Sequence, residues 1–217
     1  MANTLSPAEI AHEKDRSRHL KITLPSPWVV RFRHLVTNGA RVLDLAAGGG
    51  RHGRMLLEQA AHVTFVDRDA AALTDLAGHD RARVIEADLE GGLPPFGPGG
   101  VLAGLRFDVA VVVNYLHRPL LAGLVEALDA GGVLIYETFA RGNEAYSRPR
   151  NPDHLLKSGE LLAAVAGRMQ VVAYEHGVIQ AADIPGVKQR LCAIKDLANP
   201  KREDDDPPPH SLAPGVD

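Results

Sequence analysis

This sequence predicts a doubly wound α/β sheet of seven strands with an antiparallel final strand, and three observations carry that expectation. Short apolar runs recur through the middle of the chain, most of them closing in an acidic or amide residue, with stretches of helical period between them. The fourth run, Phe107-Asp-Val-Ala-Val-Val-Val-Asn114, is almost wholly apolar, as expected of a strand buried on both faces. The first run, Val42-Leu-Asp-Leu45, leads into a turn holding Gly48, Gly49 and Gly50, and a helical pattern opens there with Met55, Leu56 and Leu57. Glycine takes positive φ and lets a ligand reach the backbone, while a helix start offers unpaired N–H groups. Such a junction suits a bulky cofactor lying across the carboxyl end of a parallel sheet.

The elements follow in order. Ser6-Pro-Ala-Glu9 is a capping box with proline at the first helical position and predicts a helix to about residue 20. Ser26-Pro27-Trp28 repeats the device and predicts a second, through about residue 35. After the glycine turn and its helix, His62-Val-Thr-Phe-Val-Asp67 is a second strand and Arg83-Val-Ile-Glu-Ala-Asp88-Leu89 a third, each ending near an acid. Residues 90–104 hold six glycines and three prolines and read as a mobile surface excursion. A helix is expected over 120–128, a fifth strand over 130–137 after Gly131-Gly132, and a helix over 160–166. The last two strands, near 171–175 and 189–195, are joined through Pro185-Gly186 without a long helical pattern, so they should pair antiparallel. Residues 1–37 thus form an N-terminal helical segment, 38–196 the α/β domain, and 197–217 a proline-rich, charged tail expected to be disordered.

Gly48-x-Gly50-x-x-Gly53 also satisfies a dinucleotide fingerprint, so the cofactor class turns on Asp44. Pyrophosphate docks at a helix N-terminus, where a neighbouring carboxylate would repel it. A cofactor carrying an ammonium and a sulfonium meets no such objection. On these residues the sequence resembles the class I S-adenosylmethionine-dependent methyltransferases, whose first motif typically reads Val-Leu-Asp-Leu-Gly-x-Gly-x-Gly. Ala46 stands here for the first glycine. The resemblance extends over about 38–195 and is closest to small bacterial members, including tellurite-resistance-like ones. It implies a Rossmann-like fold, S-adenosyl-L-methionine as cofactor and methyl transfer as the activity.

An acid at the end of the second strand can bond both ribose hydroxyls, which assigns Asp67. From the resemblance, Asp88 contacts the adenine amino group and the Leu89 backbone the ring. Gly48 and Gly50 line the methionine portion, and Asp44, Ala46, Arg51, Arg68 and Asn114 complete the cofactor set. On the acceptor side the end of the fourth strand reads Asn114-Tyr115-Leu116-His117-Arg118-Pro119, without the paired prolines of amino-methylating enzymes. His117 is a candidate general base. Glu137, at the tip of the fifth strand, is a second candidate for base or cation binder. Trp28 and Tyr115 are candidate aromatic walls, and Arg141 and Asn143, in the polar insert after that strand, are candidate substrate residues. Arg141, Arg148 and Arg150 would either hold an anionic substrate or be solvated.

Composition bounds the rest. No run approaches the roughly 18 apolar residues of a membrane span, and a single cysteine, Cys192, reads as buried and inert in a cytoplasmic setting. Scattered histidines predict no metal. Setting aside Lys201, Arg202 and the five acids of the tail leaves 22 basic against 22 acidic residues. A neutral domain lacks the basic footprint of a nucleic-acid binder, so a small-molecule acceptor is expected. The alternatives are an RNA or protein methyltransferase and a non-catalytic nucleotide-binding module; the oligomeric state is open.

Overall fold

Alternation along the fourth strand decides the layers. In β4 (Phe107–Val113), Val109, Val111 and Val113 face one side, where Trp28, Phe32, Leu56 and Leu57 pack on them. Ala110 and Val112 face the other, against Leu120, Leu124, Leu161 and Val165. With apolar groups on both faces, the strand must be covered by helices on both. The computed structural model describes residues 22–180, 185–197, 204 and 206–212. The expected first helix, over 6–20, lies outside them.

The strands are β1 (Arg41–Leu45), β2 (His62–Asp67), β3 (Ala82–Glu86), β4, β5 (Leu128–Phe139), β6 (Gln170–Ile179) and β7 (Gly186–Ile194). They form one sheet in the order β3-β2-β1-β4-β5-β7-β6. All neighbours run parallel except β7, which is antiparallel to both β5 and β6. From β1 the chain winds outward through β2 and β3, then returns to place β4 on the other side. The carboxyl ends of β1 and β4 therefore flank the point where the winding reverses, the place where such sheets hold ligands. The final pair is antiparallel, as expected from a connection too short for a crossover.

Helices α1 (Pro27–Phe32) and α2 (Arg51–Glu58) cover one face, α3 (Leu120–Glu126) and α4 (Glu160–Val165) the other. Ser26 caps α1 as its sequence promised, its Oγ accepting from Trp28 N at 3.2 Å. Beyond it the chain tightens into a 3-10 turn, Arg33–Leu35. A second 3-10 segment, Ala71–Leu76, follows β2 where sequence marked no element.

Two segments expected to be loose make contacts with the rest of the domain. In the segment 90–104, Leu102 is buried, its N–H donates to Pro95 O at 2.8 Å, and Phe96 packs on α3 beside Gly123. The apolar side chains between the glycines anchor the loop. Within the tail, residues 206–212 make contacts with the domain: His34 Nε2 lies 3.0 Å from Ser211 O, and the His210 ring pairs with Asp196.

Gly53 marks the tightest junction between helix and sheet. A Cβ there would stand 2.2 Å from the Phe65 ring on β2. Gly53→Ala should destabilise the domain by roughly 1–3 kcal/mol through overpacking, read as a lower urea midpoint with an unchanged slope.

Candidate functional site

Asp44 is the one polar side chain on β1 that lies buried, at 2% exposure. Its Oδ2 accepts from Gly53 N at 2.8 Å, tying the strand to the first turn of α2 across the glycine turn. Gly53 permits this, since a Cβ would lie 2.9 Å from that oxygen. Burial pushes the Asp44 carboxyl up to about 7, against the opposing pull of the Gly53 N–H and the Arg51 charge. The turn itself is left-handed at Ala46 (φ 55°), Gly48 (56°) and Gly50 (72°). Ala46 thus accepts the conformation that a glycine would take without strain. Asp67, at the end of β2, closes the same turn: Oδ2 accepts from Gly48 N at 2.7 Å and Oδ1 from Asp69 N at 3.1 Å.

Above this turn lies a cavity of about 950 Å³ at the carboxyl ends of β1, β2, β4 and β5. Eight of the ten candidate cofactor residues line it: Ala46, Gly48, Arg51, Asp67, Arg68, Asp88, Leu89 and Asn114. Asp44 and Gly50 lie behind the wall and shape it. Because β3 ends at Glu86, Asp88 sits in the turn beyond the strand, with Oδ1 accepting from Glu90 N at 2.9 Å.

The acceptor-side candidates divide. Tyr115 lines the cavity. Trp28 does not: it is 2% exposed, its Nε1 donates to Leu191 O at 3.2 Å, and its ring meets Phe32 edge-on. Its place on the inner side of α1 makes it core. His117 also stands outside the wall, with Nδ1 3.9 Å from Glu90 Oε2. Asn114 adopts φ 58° and bends the chain away from the β4 axis, and Leu116 turns inward instead. Arg141 is exposed and off the cavity, while Asn143 is fully buried in its loop.

Glu137 is the largest correction. Its side chain is buried beneath the rim, with Lys188 Nζ at 2.5 Å, Arg190 Nε at 3.0 Å and the Ser26 hydroxyl donating at 2.7 Å. Sheet register sets this up by placing Glu137 opposite Arg190 on β7. Burial would raise its carboxyl, but the two cations outweigh that and hold it below the ordinary range. A carboxylate so neutralised is neither a free base nor a substrate ligand. Lys188 also donates to Asn114 Oδ1 at 3.0 Å, so the cluster reaches the cavity floor. Sequence reasoning missed Lys188 and Arg190, although Lys188-Gln-Arg190 alternates two cations into an otherwise apolar strand, a signal for a buried counter-charge. It also passed over His52, buried in the cavity wall, where burial and Arg51 push the imidazole down to about 3 and keep it neutral. Among the described residues no cluster of His, Cys, Asp and Glu could hold a metal, and no helix is long and apolar enough to cross a membrane.

No family model and no curated protein matches the sequence. Solved structures do match the fold. TehB from Haemophilus influenzae superposes with TM-score 0.64 at 16% identity over 81% of this chain. This is the class I S-adenosylmethionine-dependent methyltransferase fold. The chain spans 64% of the TehB chain's length. The 1,6-didemethyltoxoflavin-N1-methyltransferase of Burkholderia thailandensis, solved with that compound and S-adenosylhomocysteine bound, gives TM-score 0.58 at 19% identity, covering 90% of this chain and 93% of that one. The [4+2]-cyclase SpnF shares the methyltransferase fold at TM-score 0.57 and 14% identity, with 77% and 78% covered. Fold alone therefore leaves the reaction open, and function must be argued from the site.

Removing the Glu137 charge strands Lys188 and Arg190 in a buried setting. Glu137→Gln should cost roughly 3–5 kcal/mol of stability in urea denaturation, and adding Lys188→Met should return part of that loss.

Proposed function

We propose that this protein transfers a methyl group from S-adenosylmethionine to a small-molecule acceptor. The observation that carries the reading is the acid behind the glycine turn, Asp44, bonded to Gly53 N. A carboxylate there opposes a pyrophosphate and favours a cation, while Asp67, bonded to Gly48 N, suits the ribose of either cofactor class. The cavity also fits a polar ligand: the His52 Nε2 is buried in a lining residue without a hydrogen-bond partner among the described residues. That a protein of the same fold was solved with S-adenosylhomocysteine supports the choice.

In this reading Asp67 takes the ribose hydroxyls, each of its oxygens keeping a lone pair beyond its backbone bond. Asp88 and Leu89 take the adenine, and the backbone of Gly48 with Arg51 takes the methionine portion. Bound S-adenosylmethionine supplies a methyl group on an already activated sulfonium. The chain's own task is to hold the acceptor in line, between Asn114 and Tyr115 at the end of β4, and to keep water out. With Glu137 neutralised and His117 outside the wall, this reading draws its rate from positioning and assigns neither of them as base. The lone buried Cys192 accords with a cytoplasmic setting.

Calorimetry should show S-adenosylhomocysteine binding and NAD not binding, and Asp67→Ala should weaken the former by roughly 1.5–3 kcal/mol. Tight NAD binding with indifference to S-adenosylhomocysteine would overturn the proposal.

A second expectation concerns pH. The Asp44 carboxyl is raised in the folded state from 3.8 to about 7, so its stabilising contribution is complete below the ordinary carboxylate value and is lost as pH rises through about 7. Unliganded protein should lose stability across that window, while the cationic cofactor, favouring the ionised form, should bind more tightly as pH rises through it. Asp44→Asn should flatten both profiles in thermal melts and titrations; an unchanged pair of profiles counts against this role for Asp44.

A further inference from the structure

We propose that the β5 side of the cavity is an oxyanion subsite, in which Arg148 and Arg150 grip a carboxylate or phosphate carried by the acceptor. This deepens the methyltransferase reading and rests on it for the identity of the neighbouring ligand. Charge is divided across the cavity. Its carboxylates, Asp67, Asp88 and Glu90, follow β2 and β3 and share that side with Arg51 and Arg68, whereas Arg148, Arg150 and His154, with no lining carboxylate among them, come from the segment that leaves β5. Neither arginine has an acidic partner among the described residues, while Arg41, Arg54, Arg118 and Arg190 each have one.

The segment bearing them is held from below. Asn143, fully buried, donates through Nδ2 to Ser147 O at 3.3 Å and Pro149 O at 3.0 Å, and its Oδ1 accepts from Val187 N at 3.2 Å. Further along, Arg118 donates to Asp153 O and Leu155 O, and Leu156 N bonds Phe139 O at 3.0 Å. A frame fixed at both ends presents the two guanidinium-bearing residues at little ordering cost.

Chemistry at the floor agrees. Lys188 occupies Asn114 Oδ1, which leaves the amide NH2 as the free end of that side chain. Glu137, at the end of β5, is covered by Lys188 and Arg190. Guanidinium groups above and an amide donor below match an oxyanion, to which arginine binds in a bidentate fork.

The test loads the protein with S-adenosylhomocysteine and titrates benzoate, phenyl phosphate and neutral benzamide by calorimetry. At least one anion should bind more tightly than benzamide, and the better of the two identifies the oxyanion as carboxylate or phosphate. Combined Arg148→Gln and Arg150→Gln should weaken the better anion roughly tenfold or more. Arg141→Gln, in the same segment but off the cavity, should leave it unchanged. Melting temperature and S-adenosylhomocysteine affinity should hold in both variants, since all three side chains are exposed. Anions binding no better than benzamide, or binding the double variant as well as the parent, would overturn the subsite. Failure of S-adenosylhomocysteine to bind, with anion binding still dependent on the two arginines, would instead defeat the methyltransferase reading and leave the subsite standing.

Discussion

One hydrogen bond organises the cavity-bearing edge of this sheet, the bond from Gly53 N to the buried carboxyl of Asp44. It fixes where α2 begins relative to β1, and therefore the path of the glycine turn between them. That turn sets the position of Gly48 N, which Asp67 then holds from β2. A buried carboxyl with one backbone donor is costly, and the cost appears as its raised pKa. The same feature that tightens the turn thus leaves negative potential in reserve beneath the cavity.

A second polar cluster plays the matching part on the other half of the sheet. Glu137, Lys188, Arg190 and Ser26 join β5, β7 and the cap of α1 in a buried network. Breaking such a network costs more than forming it gains, so its contribution is to fix the register of β7 and the seat of α1. Through Lys188 it also orients Asn114 at the cavity floor. The two clusters hold the two sides of the switch point independently, and the space between them is the cavity.

The fold was legible because it rests on signals local in sequence: apolar runs, the glycine turn, and a β6–β7 connection too short for a crossover. The cavity wall on the β1–β3 side was legible for the same reason, since Gly48, Asp67 and Asp88 each follow a strand end. The acceptor half was not. Whether Glu137 faces solvent or a cation depends on its pairing with a strand some fifty residues later, which no local pattern encodes. Trp28 and Asn143 were chosen for their chemistry, but burial took both into the scaffold. His117 stands outside the cavity although Tyr115 and Leu116 before it line it, and residue type does not say which side chain of such a turn faces inward.

The place of β7 has a consequence for how the molecule comes to exist. This strand is last in sequence among the seven yet interior in the sheet, between β5 and β6. During synthesis β5 and β6 emerge before the strand that joins them, each offering an unpaired edge. The sheet closes only when residues 186–194 arrive, through contacts distant along the chain, which are slow to form. Both cations of Glu137 arrive with that strand. The ion cluster and the sheet are completed in one late event, and the half-made domain depends on the nascent chain remaining unaggregated until that event.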